Sequence, residues 1–243
     1  MVSTTRVLLS VRIKSYPALF RPIALLREGG KKRCVRRTTD LVIEGYWRCG
    51  NHFAVYAFLV AQGKHVDVAH HFHAPAQLML AARWGVPAVL LIREPVEAVA
   101  SATVFLMRED PRPLLAFYNA FHERLLDYVD RLVVSDFPIT VGDFGAVIEA
   151  VNAKYHTHYL PLEGTPEQRA EIDRRIREEH QQNMGAVATT LPLPSATKTH
   201  LKQRVLQRLE RPECAALLDQ ARRHYEALRV YSVAARRPAE TAL

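Results

Sequence analysis

Short apolar runs alternate with amphipathic segments in the first half of the chain. Apolar runs of four to eight residues are typical of buried strands, and apolar residues three and four apart indicate helices. This pattern implies a parallel sheet with right-handed crossovers, so the expected fold class is α/β, a three-layer sandwich around a central parallel sheet. The predicted elements are strand 41–45, helix 51–62, strand 65–70, helix 75–84, strand 86–92 and helix 95–107.

The second half reads as mostly helical. A long helix with one apolar side is followed by a short strand and several more polar helices. The predicted elements are helix 113–131, strand 138–141, a helix from 144 to about 154, a charged helix 165–182, a loop 189–198, two helices between 201 and 233 that break near Pro212, and a frayed tail from 236.

The junction between strand 41–45 and helix 51–62 is the first candidate site. Gly45 and Gly50 bound a short loop that opens a helix, and a helix start offers unpaired amide donors and partial positive charge to a phosphate. The spacing is that of a nucleotide P-loop. However, Asn51 and His52 stand where the Lys and the Ser or Thr of an NTPase would be, which argues against ATP or GTP hydrolysis.

This P-loop-like strand–loop–helix resembles the sulfotransferases that use 3′-phosphoadenosine 5′-phosphosulfate (PAPS). Their loop has the form basic, Ser, Gly, small polar, Thr or Ser, aromatic. The chain keeps the basic residue, the Gly and the aromatic, and departs from the commonest pattern at the other three positions. The matching window is Arg48-Cys49-Gly50-Asn51-His52-Phe53.

A second segment also resembles this family. An apolar strand, 86–92, ends in Arg93-Glu94-Pro95, and Ser101 follows eight positions after the Arg. The family uses an Arg and a Ser at this spacing to hold the 3′-phosphate. An Arg fork suits a phosphate dianion, and a hydroxyl can donate one further hydrogen bond. A purely structural reading, an acid and a Pro at a helix start, explains Glu94 and Pro95 equally well.

The resemblance implies a general base between these two segments. Family members place a His there, two positions before a Pro, and His73 and Pro75 match that spacing. A Lys often precedes the base by two residues, whereas this chain has His71. Any auxiliary positive charge must therefore come from elsewhere.

Taken together, the resemblance implies transfer of a sulfuryl group from PAPS to a hydroxyl or amine acceptor, with PAP as product and no metal. Arg48 and His73 would be catalytic, and Lys198 would be a nucleotide contact near the C-terminus. The acceptor is expected to be a small molecule, a carbohydrate or a lipid. The expected nucleotide-binding residues are Arg48, Cys49, Gly50, Asn51, His52, Phe53, Arg93, Ser101 and Lys198.

Two other chemistries fit parts of the same segments. His71 and His73 alternate if the segment is extended and could chelate zinc, but no second cluster with ligand spacing completes a tetrahedral site. Cys49 at a helix start could be a thiolate nucleophile. A phosphatase-type loop would place an Arg six positions later, where this chain has Val55, so Cys49 reads better as a small loop residue.

The net charge of +8 belongs to the N-terminal region. Residues 1–39 contain ten Lys and Arg against the single acid Glu28, and the rest of the chain is close to neutral. We therefore divide the chain into a basic arm 1–39, an α/β domain 40–235 and a frayed tail 236–243. The arm lacks a nucleic-acid reading motif, so no specific nucleic acid is expected as partner. It fits peripheral contact with an anionic membrane or substrate, and a solvated basic face is the alternative.

The cysteines point to a reducing, cytoplasmic environment. The chain has three cysteines, an odd number, and their spacing does not suggest a disulfide scaffold. They are Cys34, Cys49 and Cys214. Two alternatives to a sulfotransferase stay open. One is a nucleotide kinase derived from the same strand–loop–helix core, and the other is a non-catalytic nucleotide-binding adaptor with a basic arm.

Overall fold

The computed structural model of the protein describes residues 13–26, 29–184 and 196–236. At 182–184, 196–198 and 236 it describes the backbone alone. Its centre is a parallel sheet of β1 (Leu41–Gly45), β2 (Val68–His70), β3 (Ala88–Ile92) and β4 (Val133–Asp136), in the order β2-β1-β3-β4. In the register, Ile43 of β1 lies opposite both His70 and Val89. Every residue of β1 and β3 is buried, as expected for inner strands of a covered parallel sheet.

Helices flank the sheet and complete a three-layer α/β sandwich, which confirms the expected fold class. A 3₁₀ helix, Leu126–Arg131, precedes β4. In chain order the helices are α1 Pro17–Leu26, α2 Gly30–Arg33, α3 Asn51–Gln62, α4 Pro75–Trp84, α5 Pro95–Phe105, α6 Arg112–Glu123, α7 Phe137–Gly142, α8 Phe144–Tyr155, α9 Pro166–Met184, α10 Ala196–Leu209, α11 Pro212–Arg229 and α12 Val233–Arg236.

The first half of the fold follows the predicted pattern closely. The predicted strand 41–45 and helices 51–62 and 75–84 have the observed bounds, and the other predicted strands and helix of this half are confirmed with shorter bounds. Both α4 and α5 begin with a Pro, whose fixed φ and missing N–H suit a first helical turn.

The predicted strand 138–141 is wrong, because this segment belongs to helix α7. The actual strand, β4, lies a few residues earlier. Asp136 ends it and caps the helix, since its Oδ1 accepts a hydrogen bond from the N–H of Phe137 at 2.8 Å. Pro138 then stands in the first helical turn. A cap followed by Pro is a helix-start signal that outweighs the short run of β-branched residues.

The predicted helix 113–131 is also too long. Helix α6 ends at Glu123, and the chain tightens into the 3₁₀ helix before β4. The predicted loop 189–198 falls partly outside the described residues, and its end, 196–198, is the first turn of α10. The predicted frayed tail starts at Arg236, the last residue of α12, and its remainder, 237–243, lies outside the described residues. Helix boundaries near Pro212 are confirmed, with α10 ending before it and α11 beginning at it.

The N-terminal segment contributes to the core of the domain. Helix α1 packs on α4, and Phe20 of α1 is buried edge-on against Phe72. Val35 is fully buried, and its N–H donates to Oε1 of Gln77 at 3.0 Å. The division at residue 39 stays a prediction. In the part of the chain that the structure describes, no helix is both long and apolar enough to cross a membrane.

Candidate functional site

A cavity of about 450 Å³ opens where the strands β1 and β3 end and the helices α3 and α5 begin. Ligands in open α/β sheets bind at this carboxyl edge. The cavity brings together most of the residues that the sequence singles out. Its lining includes Trp47, Arg48, Gly50, Asn51, His52, Phe53, His73, Arg93, Phe105, Phe137, Ile176, Glu179 and His180.

Arg48 links the two predicted phosphate segments. Its Nε donates to Oγ of Ser101 at 3.1 Å, and its guanidinium lies 5.2 Å from the ring centre of Phe105. Among the described residues, no ion pair includes Arg48. Burial, and then the neighbouring Arg93, lower the pKa of Arg48. Arg48 is thus a partly buried cation without a carboxylate partner among the described residues.

Arg93 lies beside it and is held in place from three sides. Its Nη1 donates to the carbonyl oxygen of Arg48 at 2.9 Å, and its guanidinium stacks 4.1 Å from the ring centre of Phe137. Its Nη2 donates to Glu97 Oε2 at 3.2 Å. Lys202 of α10 donates to the same carboxylate oxygen at 2.7 Å, so Arg93 shares its counter-charge with a second cation.

The loop between β1 and α3 has the backbone of an anion cradle. Arg48 has a φ of 66° and Gly50 a φ of 89°, and Gly50 caps α3 without any side chain to accept from the first helical amides. A Cβ at Gly50 would lie 3.2 Å from a methyl group of Thr140. Left-handed backbone and tight packing therefore both favour glycine at position 50. Because no side chain caps the helix, its first amides can bind a ligand.

The three non-matching loop positions have different environments. Asn51 is buried, and its Nδ2 donates to the carbonyl of Tyr46 at 3.0 Å, which ties the loop to the helix. His52 is half-exposed and lies 3.5 Å from Glu179. The guanidinium of Arg169 lies 5.2 Å from the ring centre of Phe53.

Cys49 is fully buried inside the loop. Burial raises the pKa of its thiol to about 12, although the nearby Arg93 acts in the opposite direction. A thiolate nucleophile at a helix start needs a lowered pKa. The pKa of Cys49 is raised instead. The structure instead gives Cys49 the environment of a small, inert residue that fills the loop.

His73 occupies the opposite wall of the cavity. Its Nδ1 lies 2.9 Å from the carbonyl oxygen of Gly45, so Nδ1 must carry the proton and Nε2 the lone pair. Burial, with Lys14 as the second cause, lowers the pKa of His73 to about 3. His73 is therefore a neutral imidazole in this structure, held in one tautomer.

Glu44 supports His73, and the sequence analysis did not single it out. It is fully buried in β1, and its carboxylate accepts from the N–H groups of Phe72 and His73 and from Nε2 of Gln77, at 3.0, 3.0 and 3.1 Å. Burial raises its pKa to about 7. The signal was present, because a Glu within an apolar strand is rarely placed there without a role.

The segment after β2 is not extended as predicted. The strand ends at His70, and both His71 and His73 have left-handed backbone, with φ of 60° and 49°. The predicted alternation is therefore wrong: His70 and His71 lie together, Nδ1 to Nδ1 at 2.5 Å, and the ring of His71 is 4.1 Å from that of His52. In the described part of the chain, no group of three or more His, Cys, Asp or Glu is arranged to hold a metal.

Further residues reach the site from distant parts of the chain. Lys14, in the N-terminal segment, places its Nζ 5.5 Å from the ring centre of Trp47, which in turn contacts His73. Helix α9 contributes Ile176, Glu179 and His180 to the cavity lining. Lys198 lies in the first turn of α10, and its side chain lies outside the described residues.

Comparisons with protein-family models, with curated proteins and with solved structures each find no match to this chain.

Proposed function

We propose that this protein is a PAPS-dependent sulfotransferase that transfers a sulfuryl group to a hydroxyl or amine acceptor. One observation carries the proposal: Arg48, Arg93 and the start of α3 meet at one cavity, and Arg48 has no carboxylate partner among the described residues. Arg48 is partly buried; even partial burial of an uncompensated charge is costly, and Arg cannot lose its proton to avoid that cost. An anionic ligand is therefore the expected complement.

In this proposal, Arg48 and the amides of Gly50 to Phe53 hold the 5′-phosphosulfate. Arg93 and Ser101 hold the 3′-phosphate. Because the hydroxyl oxygen of Ser101 accepts from Arg48, its own proton is available to a phosphate oxygen. Binding of the phosphate would replace Glu97 on Arg93, and Lys202 remains as the partner of that carboxylate.

His73 is the proposed general base. As the sulfur–oxygen bond to PAP breaks and the bond from sulfur to the acceptor oxygen forms, the acceptor proton passes to Nε2 of His73. A bound anion would raise the low pKa of His73 toward the range that a general base requires. Lys14 supplies positive charge on this side of the cavity, which position 71 lacks.

The proposed cofactor is PAPS alone, with PAP as product and no metal, and the proposed acceptor is a small molecule, a carbohydrate or a lipid. We also propose a reducing, cytoplasmic environment. The described cysteines, Cys34, Cys49 and Cys214, are all buried and unpaired, which fits such an environment.

Calorimetric titration with nucleotides tests the proposal. PAP should bind more tightly than AMP, because only PAP carries the 3′-phosphate that Arg93 and Ser101 would hold. Magnesium should leave the affinity for PAP unchanged. Equal binding of PAP and AMP would contradict the sulfotransferase. Tighter binding of ADP in the presence of magnesium would favour the kinase, and binding of PAP without transfer to any acceptor class in a mass-spectrometric screen would favour the adaptor.

A further inference from the structure

Helix α1 has an apolar face directed to solvent. Its sequence, PALFRPIALL, contains a single charged residue, Arg21. Leu19 is 51% exposed, Ile23 39% and Leu26 87%. A surface helix normally presents polar residues outward, so among the described residues this apolar face has no partner that covers it.

The exposed residues form one stripe. At 3.6 residues per turn, Leu19, Ile23 and Leu26 fall within an arc of about 60° around the helix axis. Phe20 and Ala24, which are buried, lie on another side and anchor α1 to the domain. The stripe is therefore a continuous apolar ridge on a helix that is fixed from below.

The segment that carries this ridge is strongly basic. Residues 1–39 contain ten basic residues against the single acid Glu28. Among the described ones, Lys31 and Lys32 of α2 are exposed, and Arg21 and Arg37 both lie over the ring of Trp84, at 5.8 and 5.3 Å. An exposed apolar ridge on a helix of a basic segment is the pattern of a helix that lies in the plane of an anionic membrane surface.

We infer that α1 docks this protein on anionic lipid bilayers, with Leu19, Ile23 and Leu26 entering the boundary between headgroups and acyl chains. The exposed basic residues Arg21, Lys31, Lys32 and Arg37 contact the lipid phosphates and carboxylates. A second copy of the chain is a poorer partner for the same face, since pairing would bring two segments of charge +9 together. This inference does not depend on the reaction at the cavity.

Vesicle co-sedimentation of the full chain tests it. Vesicles of phosphatidylcholine with phosphatidylserine should bind the protein at least about tenfold more tightly than phosphatidylcholine alone, since each basic residue near an anionic surface strengthens binding about fivefold. Raising the salt concentration should weaken the binding. The double variant Leu19→Glu, Ile23→Glu should reduce it by at least about tenfold, because charged side chains cannot enter the acyl boundary.

Leu160→Glu is the matched control. Leu160 is 58% exposed on the segment between α8 and α9, so this variant carries the same chemical change outside α1 and should bind vesicles like the unmodified chain. Circular dichroism melts establish that each variant is folded. No binding to anionic vesicles, equal loss in Leu160→Glu, or a dimer in light scattering that the α1 variant dissociates would each overturn the inference.

Discussion

The two sides of the cavity are built from neighbouring loops, but the side chains on one side are cationic and the imidazoles on the other are neutral. The loop after β1 carries Arg48, next to Arg93 from the end of β3, and both are cations. The loop after β2 carries His71 and His73, and burial lowers the pKa of both imidazoles, so these two side chains are neutral. Both loops follow parallel strands, and both have residues with left-handed backbone.

The comparison shows that burial has different consequences for a guanidinium and for an imidazole. A partly buried guanidinium keeps its proton, so its charge favours a bound anion. A buried imidazole loses its proton and keeps a lone pair, which suits it to accept a proton later. In the proposed function, one wall of the cavity therefore binds an anion and the other takes up a proton.

Removal of the proposed general base, His73, should have the largest effect on activity. We expect His73→Ala to lower sulfo transfer by about 10²–10⁴-fold, because general-base catalysis contributes about that much. Affinity for PAP should stay within about threefold, the signature of an interaction made in the transition state. Single-turnover rates and PAP titration measure the two quantities. If His71→Ala or His52→Ala abolishes transfer while His73→Ala does not, the base is another histidine.

Removal of a cation should affect binding more than chemistry. We expect Arg93→Ala to weaken PAP binding about ten- to hundredfold and to leave AMP binding nearly unchanged, because a lost charge-assisted contact costs about 1.5–3 kcal/mol. Arg83→Ala is the control, since Arg83 is exposed and stacks on Tyr128 away from the cavity. A parallel loss of AMP and PAP affinity would mean that Arg93 does not contact the 3′-phosphate.

The pH dependence of stability should reveal Glu44. A carboxyl whose pKa is raised to about 7 stabilises the folded protein at low pH, and this contribution is lost as pH rises from about 4.5 through 7. Buried His122, with a pKa lowered to about 3, acts in the opposite direction and destabilises the fold as pH falls below 6.5. His70 and His73, with pKa values lowered to about 4 and about 3, act in the same direction as His122, so in the unmodified chain Glu44 offsets only part of the loss of stability between pH 7 and pH 5.

We therefore expect Glu44→Gln to steepen the loss of stability on acidification. Between pH 7 and pH 5, the free energy of unfolding should fall by about 2 kcal/mol more than in the unmodified chain, because the compensating proton uptake by Glu44 is absent. Urea unfolding at the two pH values measures this difference. Parallel pH profiles for both proteins would show that Glu44 titrates normally in the folded state.

Cys49 should show the smallest effect. Because burial raises its pKa to about 12, the folded protein should leave Cys49 unmodified by iodoacetamide near neutral pH. Cys49→Ser should change PAP affinity by less than about twofold, since the side chain fills the loop without carrying charge. Peptide mapping after labelling and PAP titration are the measurements. Rapid labelling together with loss of transfer in the serine variant would restore a thiolate mechanism.

Several local features could be read from the sequence because they depend on near neighbours. Apolar runs located β1 and β3, and the Pro residues at positions 75 and 95 marked helix starts. The pattern failed where two local signals competed: β-branched residues in 138–141 suggested a strand, but the cap at Asp136 and the following Pro made a helix. It also failed at His71, where the backbone is left-handed and not extended.

The candidate site shows the same division. The sequence by itself determined the Gly-bounded loop, the spacing of Arg93 and Ser101, the position of His73 and the concentration of basic residues in 1–39. Only the tertiary structure decided that Arg48 touches Ser101, that Glu44 holds the backbone of His73, and that Lys14 and helix α9 reach the cavity. The physical reason is that charge state, tautomer and exposure depend on burial and on residues distant in sequence, whereas caps, turns and periodicity depend on residues a few positions apart.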